Sequence, residues 1–73
     1  MSMSEKKFLA AIGKKVKALR KAKGLSQYAF SDESGVSRSQ ISRLEDGDLN
    51  CTMTTLLALA QALDVEPKEL INF

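Results

Sequence analysis

Two serines suited to helix N-caps, Ser26 and Ser37, lie on either side of Gly35 and constrain the fold of this chain more than any other feature. A serine at an N-cap accepts a hydrogen bond from a free N–H of the first helical turn. Only Gly35 and Val36 separate the first helical segment from the second cap, and glycine adopts the positive φ of a tight turn without steric cost. Residues 26 to about 45 are therefore predicted to form a helix-turn-helix.

Apolar residues also repeat at helical spacing in two longer segments, one between residues 4 and 23 and one that begins near Thr54. Pro67 suits the first position of a last short helix that reaches Leu70. No segment alternates apolar and polar residues as a strand does, so the sequence predicts an all-α fold of five helices in a single domain, residues 1–73. The apolar positions are Phe8, Ile12, Val16 and Leu19 in the first long segment and Leu56, Leu59, Ala60 and Leu63 in the second.

The net charge of +2 conceals an uneven distribution. Residues 1–43 carry ten Lys and Arg against three Asp and Glu, a balance of +7, whereas residues 44–73 carry one against six, a balance of −5. A basic block attracts polyanions, of which the nucleic-acid backbone is the commonest. Lysines 14, 17 and 21 are better explained as the solvated face of the first helix than as nucleic-acid contacts. Charge alone leaves both interpretations open.

The composition excludes most kinds of catalytic chemistry. The chain has no histidine, and Cys51 is its single cysteine. Metal sites usually need several Cys or His ligands, and acid–base or nucleophilic catalysis usually needs a histidine. No segment has the ~20 apolar residues of a membrane span, and a lone cysteine suits the reducing cytoplasm. We therefore expect a cytoplasmic binding protein, not an enzyme, with no metal, no cofactor and no small-molecule effector.

The helix-turn-helix segment closely resembles the Cro/cI-type (XRE) family of DNA-binding proteins. The matching residues are Leu25-Ser26-Gln27, Phe30 and the run from Gly35 to Glu45, and the likeness extends from about Phe8 to Leu70. The resemblance implies a compact, phage-repressor-like domain of five helices that binds DNA as a homodimer. The loop Asn50-Cys51-Thr52 is most similar to that of the small controller proteins of restriction–modification systems.

The resemblance also implies which side chains contact DNA. Gln27 matches a glutamine that contacts phosphate at a helix N-terminus. Residues 37–45 match the recognition helix, which enters the major groove. Arg38 in its first turn is the side chain expected to read a base, since a guanidinium pairs bidentately with guanine. The full set of expected DNA contacts is Gln27, Ser37, Arg38, Ser39, Ser42, Arg43, Asn50 and Thr52.

Some of these residues also have structural explanations. Ser37 is an N-cap whether or not it contacts a base. Arg38 and Arg43 each have Glu45 and Asp46 nearby in sequence as alternative partners. Two further positions depart from the family pattern. Tyr28 replaces a residue that is often charged, and Ser31 stands where alanine is usual, with its hydroxyl expected to bond back to its own helix.

Apolar residues of the fourth helix and near the C-terminus that the predicted core does not account for indicate an interface. Leu57 flanks the buried stripe of the fourth helix, and the chain ends in Leu70-Ile71-Asn72-Phe73. A core this small cannot cover all of these side chains, and exposed apolar patches usually mark interfaces. We therefore expect Leu57, Leu70, Ile71 and Phe73 to form a homodimer interface. The function predicted is a sequence-specific transcriptional regulator that binds an inverted-repeat operator, and the alternative is an antitoxin-like protein-interaction module with secondary DNA binding.

Overall fold

Four α-helices and a short 3-10 helix make up the computed structural model, which describes residues 3–73. Their bounds are α1 Glu5–Ala22, α2 Gln27–Ser34, α3 Arg38–Glu45, α4 Met53–Leu63 and the 3-10 helix Pro67–Ile71. Residues 3–73 contain no strand. The predicted all-α class and the order of five helical segments are confirmed.

Each α-helix begins at a hydroxyl side chain that caps its N-terminus. The Oγ atoms of Ser4, Ser26 and Ser37 accept hydrogen bonds from the N–H three residues later, at 3.1, 3.0 and 3.2 Å. Thr52 Oγ1 does the same for α4 at 3.2 Å, which is why that helix starts at Met53 and not at Thr54. Removing such a cap typically costs about 1 kcal/mol, so these residues define where the helices start.

The last segment differs from a short α-helix. Pro67 occupies its first position as predicted, but the bond from the Glu69 N–H to the Glu66 carbonyl at 2.9 Å spans three residues, the 3-10 pattern. Its five residues are too few to sustain a ladder of bonds between residues four apart. The tighter turn directs Leu70 inward between α1 and α4, where it is fully buried. The expectation that Leu70 belongs to an exposed interface is therefore wrong.

One apolar cluster forms the core, and α1, α3 and α4 supply most of it. The predicted inward positions of α4 are all buried, as are Ile41 and Leu44 of α3. Phe8 is an exception, because it lies near the free end of α1 and remains 39% exposed. The buried apolar residues are Ile12, Val16, Phe30, Val36, Ile41, Leu44, Leu56, Leu59, Ala60, Leu63 and Leu70.

Helix α1 crosses the end of α3 at a point where only glycine fits. A Cβ on Gly13 would overlap the Leu44 carbonyl oxygen and lie 2.7 Å from that of Glu45. The turn after α3 approaches α1 as closely, since a Cβ on Gly47 would lie 2.9 Å from the Cα of Ala10. Gly47 also has a φ of 75°, which other residues rarely adopt. This close contact sets the position of α3 relative to α1.

Replacing Gly13 with alanine is expected to destabilise the protein in spite of alanine's better helix propensity. The propensity gain is about 1 kcal/mol, but overpacking against backbone atoms that cannot move aside costs about 1–3 kcal/mol or more. Urea unfolding followed by circular dichroism measures the difference. Lys14→Ala, at the next and exposed position of α1, is the matched control and should stay within about 0.5 kcal/mol of the parent. A Gly13→Ala variant more stable than the parent would contradict the close crossing.

Candidate nucleic-acid interface

A buried ion pair joins the end of α3 to α1. Arg20 Nε donates to Glu45 Oε2 at 2.6 Å, and Arg20 Nη2 donates to Oε1 at 2.9 Å. Both residues are only 7% exposed. Removing two charges from water is costly. Their attraction offsets this desolvation cost only where the geometry of the ion pair is good and the remaining polar atoms are hydrogen-bonded. The bidentate arrangement meets this condition, so the pair anchors the last residue of α3.

The same network reaches the start of α2. Arg20 Nη1 donates to the Leu25 carbonyl oxygen at 2.7 Å, and Gln27 Nε2 donates to Glu45 Oε1 at 3.1 Å. Gln27 is half-buried and is the first residue of α2. Because an amide nitrogen carries two hydrogens, one bond to Glu45 leaves the second for another acceptor. Glu45 therefore fixes the orientation of the side chain that was predicted to contact phosphate.

From the sequence, Arg20 was given no role and Glu45 only that of an alternative partner for Arg38 or Arg43, although the sequence contained a signal for their pairing. Arg20 continues the buried stripe of Ile12 and Val16 at a spacing of four residues. Glu45 follows Leu44 on the buried side of α3. An unpaired buried charge is too costly to persist, so opposite charges on two apolar helix faces indicate a buried pair.

The first turn of α3 is open to solvent. Ser37, Arg38 and Ser39 are all exposed, and Ser37 Oγ is the N-cap that accepts from the Gln40 N–H. Exposed donors and hydroxyls at the start of a helix that is anchored at its other end form a rigid surface for recognition. The structure brings these three predicted contact residues together at one end of α3.

The Arg38 side chain lies against an aromatic ring and not against a carboxylate. Its guanidinium carbon is 5.1 Å from the centroid of the Tyr28 ring. Among the residues from 3 to 73, no carboxylate oxygen lies within 4.0 Å of it, and Glu45 is occupied by Arg20. The alternative pairing of Arg38 with Glu45 or Asp46 is therefore absent. Its five N–H donors remain available.

The second turn of α3 is less free. Ser42 is half-buried, whereas Arg43 is exposed. Arg43 Nη2 donates to the Asp48 carbonyl oxygen at 3.1 Å, and its Nε lies 3.9 Å from the Asp48 carboxylate. Such an exposed pair contributes little to stability. It nevertheless directs Arg43 toward the turn after α3, and the partner is Asp48 instead of the expected Glu45 or Asp46.

The loop before α4 contains the two remaining predicted contacts. Asn50 is exposed, and Thr52 has its hydroxyl engaged in capping α4. Cys51 between them is half-buried, and this burial raises the pKa of its thiol, with a backbone hydrogen bond as a smaller opposing effect. A raised pKa reduces the thiolate fraction at neutral pH, so Cys51 is a poor nucleophile.

Ser31 supports the turn between α2 and α3. Its hydroxyl donates to the Val36 carbonyl oxygen at 2.6 Å, and not back to its own helix as expected. Gly35 ends α2 with a φ of 77°, and the Ser34 hydroxyl accepts from the Val36 N–H at 3.1 Å. The serine that replaces the usual alanine thus bonds α2 to the turn that follows it.

Other kinds of site leave no trace in the residues that the structure describes. Within residues 3–73 there is no group of three or more His, Cys, Asp and Glu side chains arranged to hold a metal. Over the same range, no helix combines the length and the apolar character needed to cross a bilayer.

Several known proteins are similar to this chain in sequence and fold. The profile of the HTH_3 helix-turn-helix family matches residues 16–70. The HTH-type transcriptional regulator y4dJ of Sinorhizobium fredii is 43% identical over 61 residues, which cover 84% of this chain and 79% of that protein. Control protein C.BamHI of Bacillus amyloliquefaciens is 34% identical over 62 residues, covering 84% and 76%. The crystal structure of the restriction-modification controller protein C.AhdI from Aeromonas hydrophila superposes with a TM-score of 0.83 at 44% identity, covering 85% of this chain and 94% of that one.

Removing one partner of the buried ion pair is expected to unfold much of the protein. Glu45→Ala leaves Arg20 charged and buried, at a cost of about 3–5 kcal/mol. That loss is comparable to the whole stability of many small domains, which starts at about 5 kcal/mol. Chemical denaturation measures it, with Glu66→Ala as the control, because Glu66 is exposed and its side chain makes no capping bond.

A double variant tests whether the cost comes from the unpaired charge. Arg20→Met combined with Glu45→Leu removes both charges and keeps apolar bulk, so it should be more stable than either single variant. A double variant less stable than both single variants would contradict this account of the pair.

Proposed function

Since the chain belongs to the HTH_3 (XRE) family of helix-turn-helix transcriptional regulators, as its motif predicted, we propose that it is a sequence-specific DNA-binding regulator that acts as a homodimer on an inverted-repeat operator. The family consists of regulators and not of enzymes. The observation that carries the proposal is the exposed first turn of α3, where Arg38 forms no ion pair with any carboxylate of residues 3–73, together with Gln27, which Glu45 holds at the start of α2. In this proposal, residues 1–73 act as a single domain. The protein is located with the DNA, which in a bacterium is in the cytoplasm.

Base recognition is assigned to the first turn of α3. Helix α3 is short and anchored at Glu45, so its free end can enter the major groove without moving the core. Arg38 supplies the bidentate donors that match guanine O6 and N7. Ser39 and Ser42 have hydroxyls that can hydrogen-bond to several base edges. Arg43 is longer and can reach a base or a phosphate once its bond to the Asp48 carbonyl oxygen is broken.

Backbone contact is assigned to the start of α2 and to the loop before α4. The second amide hydrogen of Gln27 can donate to a phosphate oxygen while the first stays on Glu45. The N-terminus of α2 adds a favourable dipole for the same anion. Asn50 has an exposed amide, and Thr52 contributes through the turn it caps. These contacts set register on the duplex and carry no sequence information directly.

Dimerisation is assigned to an apolar patch formed by Phe8, Met53, Leu57, Ile71 and Phe73. All five side chains are exposed, and Phe8 and Phe73 contact each other edge to face at 5.9 Å. Met53 and Leu57 are four residues apart and share one face of α4. Phe8, Met53 and Ile71 line the same apolar depression. Monomeric proteins rarely expose such a patch. The same patch on a second copy of the chain would bury it in a two-fold symmetric dimer interface.

Alanine substitutions at Arg38 and Gln27 are expected to weaken DNA binding in different ways. Arg38→Ala should cost about 1–3 kcal/mol and relax preference at one base pair in each half-site. Gln27→Ala should weaken operator and random DNA by similar factors, because phosphates are the same in both. Fluorescence anisotropy with an operator duplex, single-base variants and a random duplex at one salt concentration separates the two patterns.

Lys14→Ala is the control for the loss of one positive charge, because Lys14 is exposed on α1 and is not among the residues predicted to contact DNA. It should lower the affinity for all duplexes slightly and equally. Full discrimination by Arg38→Ala at every position would show that α3 does not present Arg38 to a base.

The dimer is tested by introducing a charge into the patch. Leu57→Glu should produce a folded monomer in sedimentation velocity at micromolar concentration, where the parent sediments as a dimer, because an interface cannot bury an unpaired carboxylate. Gln40→Glu is the matched control, since it adds the same charge at an exposed position of α3. The recognition helices of the dimer should lie about 34 Å apart, one turn of DNA. A parent protein that stays monomeric with and without DNA would contradict the proposal and favour the alternative of a separate protein partner.

A further inference from the structure

Tyr28 is an aromatic residue whose position the core does not explain. It is the second residue of α2, and 67% of its surface is exposed. An aromatic ring this exposed gains little from burial, so packing against the core does not hold it in place. Its ring lies instead beside the guanidinium of Arg38, with 5.1 Å between the guanidinium carbon and the ring centroid. The contact joins the first turn of α2 to the first turn of α3.

The chemistry of this contact suits a residue that must recognise something else. A cation–π interaction uses the face of the ring and consumes no N–H donor of the arginine. An ion pair with a carboxylate would occupy those donors, and among residues 3–73 Arg38 forms none within 4.0 Å. A long side chain that is partly ordered before binding loses less rotamer freedom when it binds. The ring therefore restrains Arg38 and leaves its bidentate edge open.

The surroundings of the pair contain one competing group. Tyr28 and Arg38 line a shallow depression together with Ser31, Asp32 and Ser37. Asp32 is four residues after Tyr28 on the same face of α2, so its carboxylate acts on the guanidinium through space. Its carboxylate oxygens lie more than 4.0 Å from the Arg38 nitrogens, so the aromatic ring is the direct contact.

We propose that Tyr28 is a positioning residue that sets the base specificity of Arg38 by stacking on its guanidinium. The inference rests on the proposed function, in which Arg38 reads a base pair. It assigns the aromatic ring, and not the phenolic hydroxyl, as the group that matters. Donation from that hydroxyl to a phosphate is the competing role, and it predicts a different pattern of variants.

The test uses a duplex selected by the parent protein from a randomised library, with each base pair then changed in turn. Tyr28→Leu removes the ring and keeps apolar bulk, so discrimination at the base pair read by Arg38 should fall about two- to fivefold, the equivalent of one exposed cation–π contact. Tyr28→Phe keeps the ring and should retain full discrimination. In an Arg38→Ala background, Tyr28→Leu should cause no further loss at that base pair, because the double-mutant cycle isolates their coupling.

Glu33→Gln serves as the control. Glu33 is exposed on α2 and does not line the depression around Tyr28 and Arg38, so removing its carboxylate should strengthen binding to all duplexes without changing discrimination. Equal losses from Tyr28→Phe and Tyr28→Leu would assign the effect to the hydroxyl and overturn the proposal. So would full discrimination by Tyr28→Leu in a protein whose Arg38→Ala variant has lost it. If Arg38→Ala itself retains discrimination, the proposed function fails in its recognition face and this inference fails with it.

Discussion

The buried pair between Arg20 and Glu45 is the interaction on which the rest of the structure depends. It fixes the last residue of α3 to α1, and the same guanidinium bonds to the Leu25 carbonyl just before α2. Gln27 then joins the first residue of α2 to the same carboxylate. This ion pair therefore contacts both helices of the helix-turn-helix and the helix α1 against which they pack. In a protein that recognises a rigid duplex, an error in the angle between α2 and α3 would misplace every contact at once.

A buried ion pair is an expensive means of joining helices, and apolar residues of similar size often stabilise a fold as well or better. What apolar residues cannot do is accept a hydrogen bond from Gln27. The Glu45 carboxylate has enough lone pairs to bind Arg20 twice and still hold the glutamine amide. The pair thus links the stability of the core to the geometry of the surface. An apolar pair of similar size could match its stability but could not supply that link.

The sequence predicted those parts of the structure that depend on local chemistry. The caps Ser26 and Ser37 and the left-handed Gly35 act within a few residues, so the bounds of α2 and α3 follow from residue type and order. The 3-10 character of the last segment and the burial of Leu70 were missed, because both depend on how the chain end packs between α1 and α4.

The sequence predicted which residues belong to the candidate site, but not which of their side chains contact each other. The motif indicated Gln27 at the start of the second helix and Arg38 in the first turn of the third as two of the DNA contacts. Their partners, Glu45 and Tyr28, lie in the same two helices, but the pairing of Gln27 with Glu45 and of Arg38 with Tyr28 depends on side-chain direction in three dimensions. The same is true of the pairing of Arg43 with Asp48 and not with Glu45 or Asp46. Sequence spacing limits the possible partners, whereas packing selects among them.

Helix α3 shows how a chain this short separates stability from recognition. A helix of eight residues is not stable alone in water, so tertiary contacts must hold it. Those contacts are concentrated toward its end, where Ile41, Leu44 and Glu45 are buried and α1 approaches closely enough to require Gly13. The first turn of α3 contributes little to these contacts with the core and remains exposed. Side chains there can change without disturbing the core, so a single scaffold of this kind can present many different recognition surfaces while its fold remains the same.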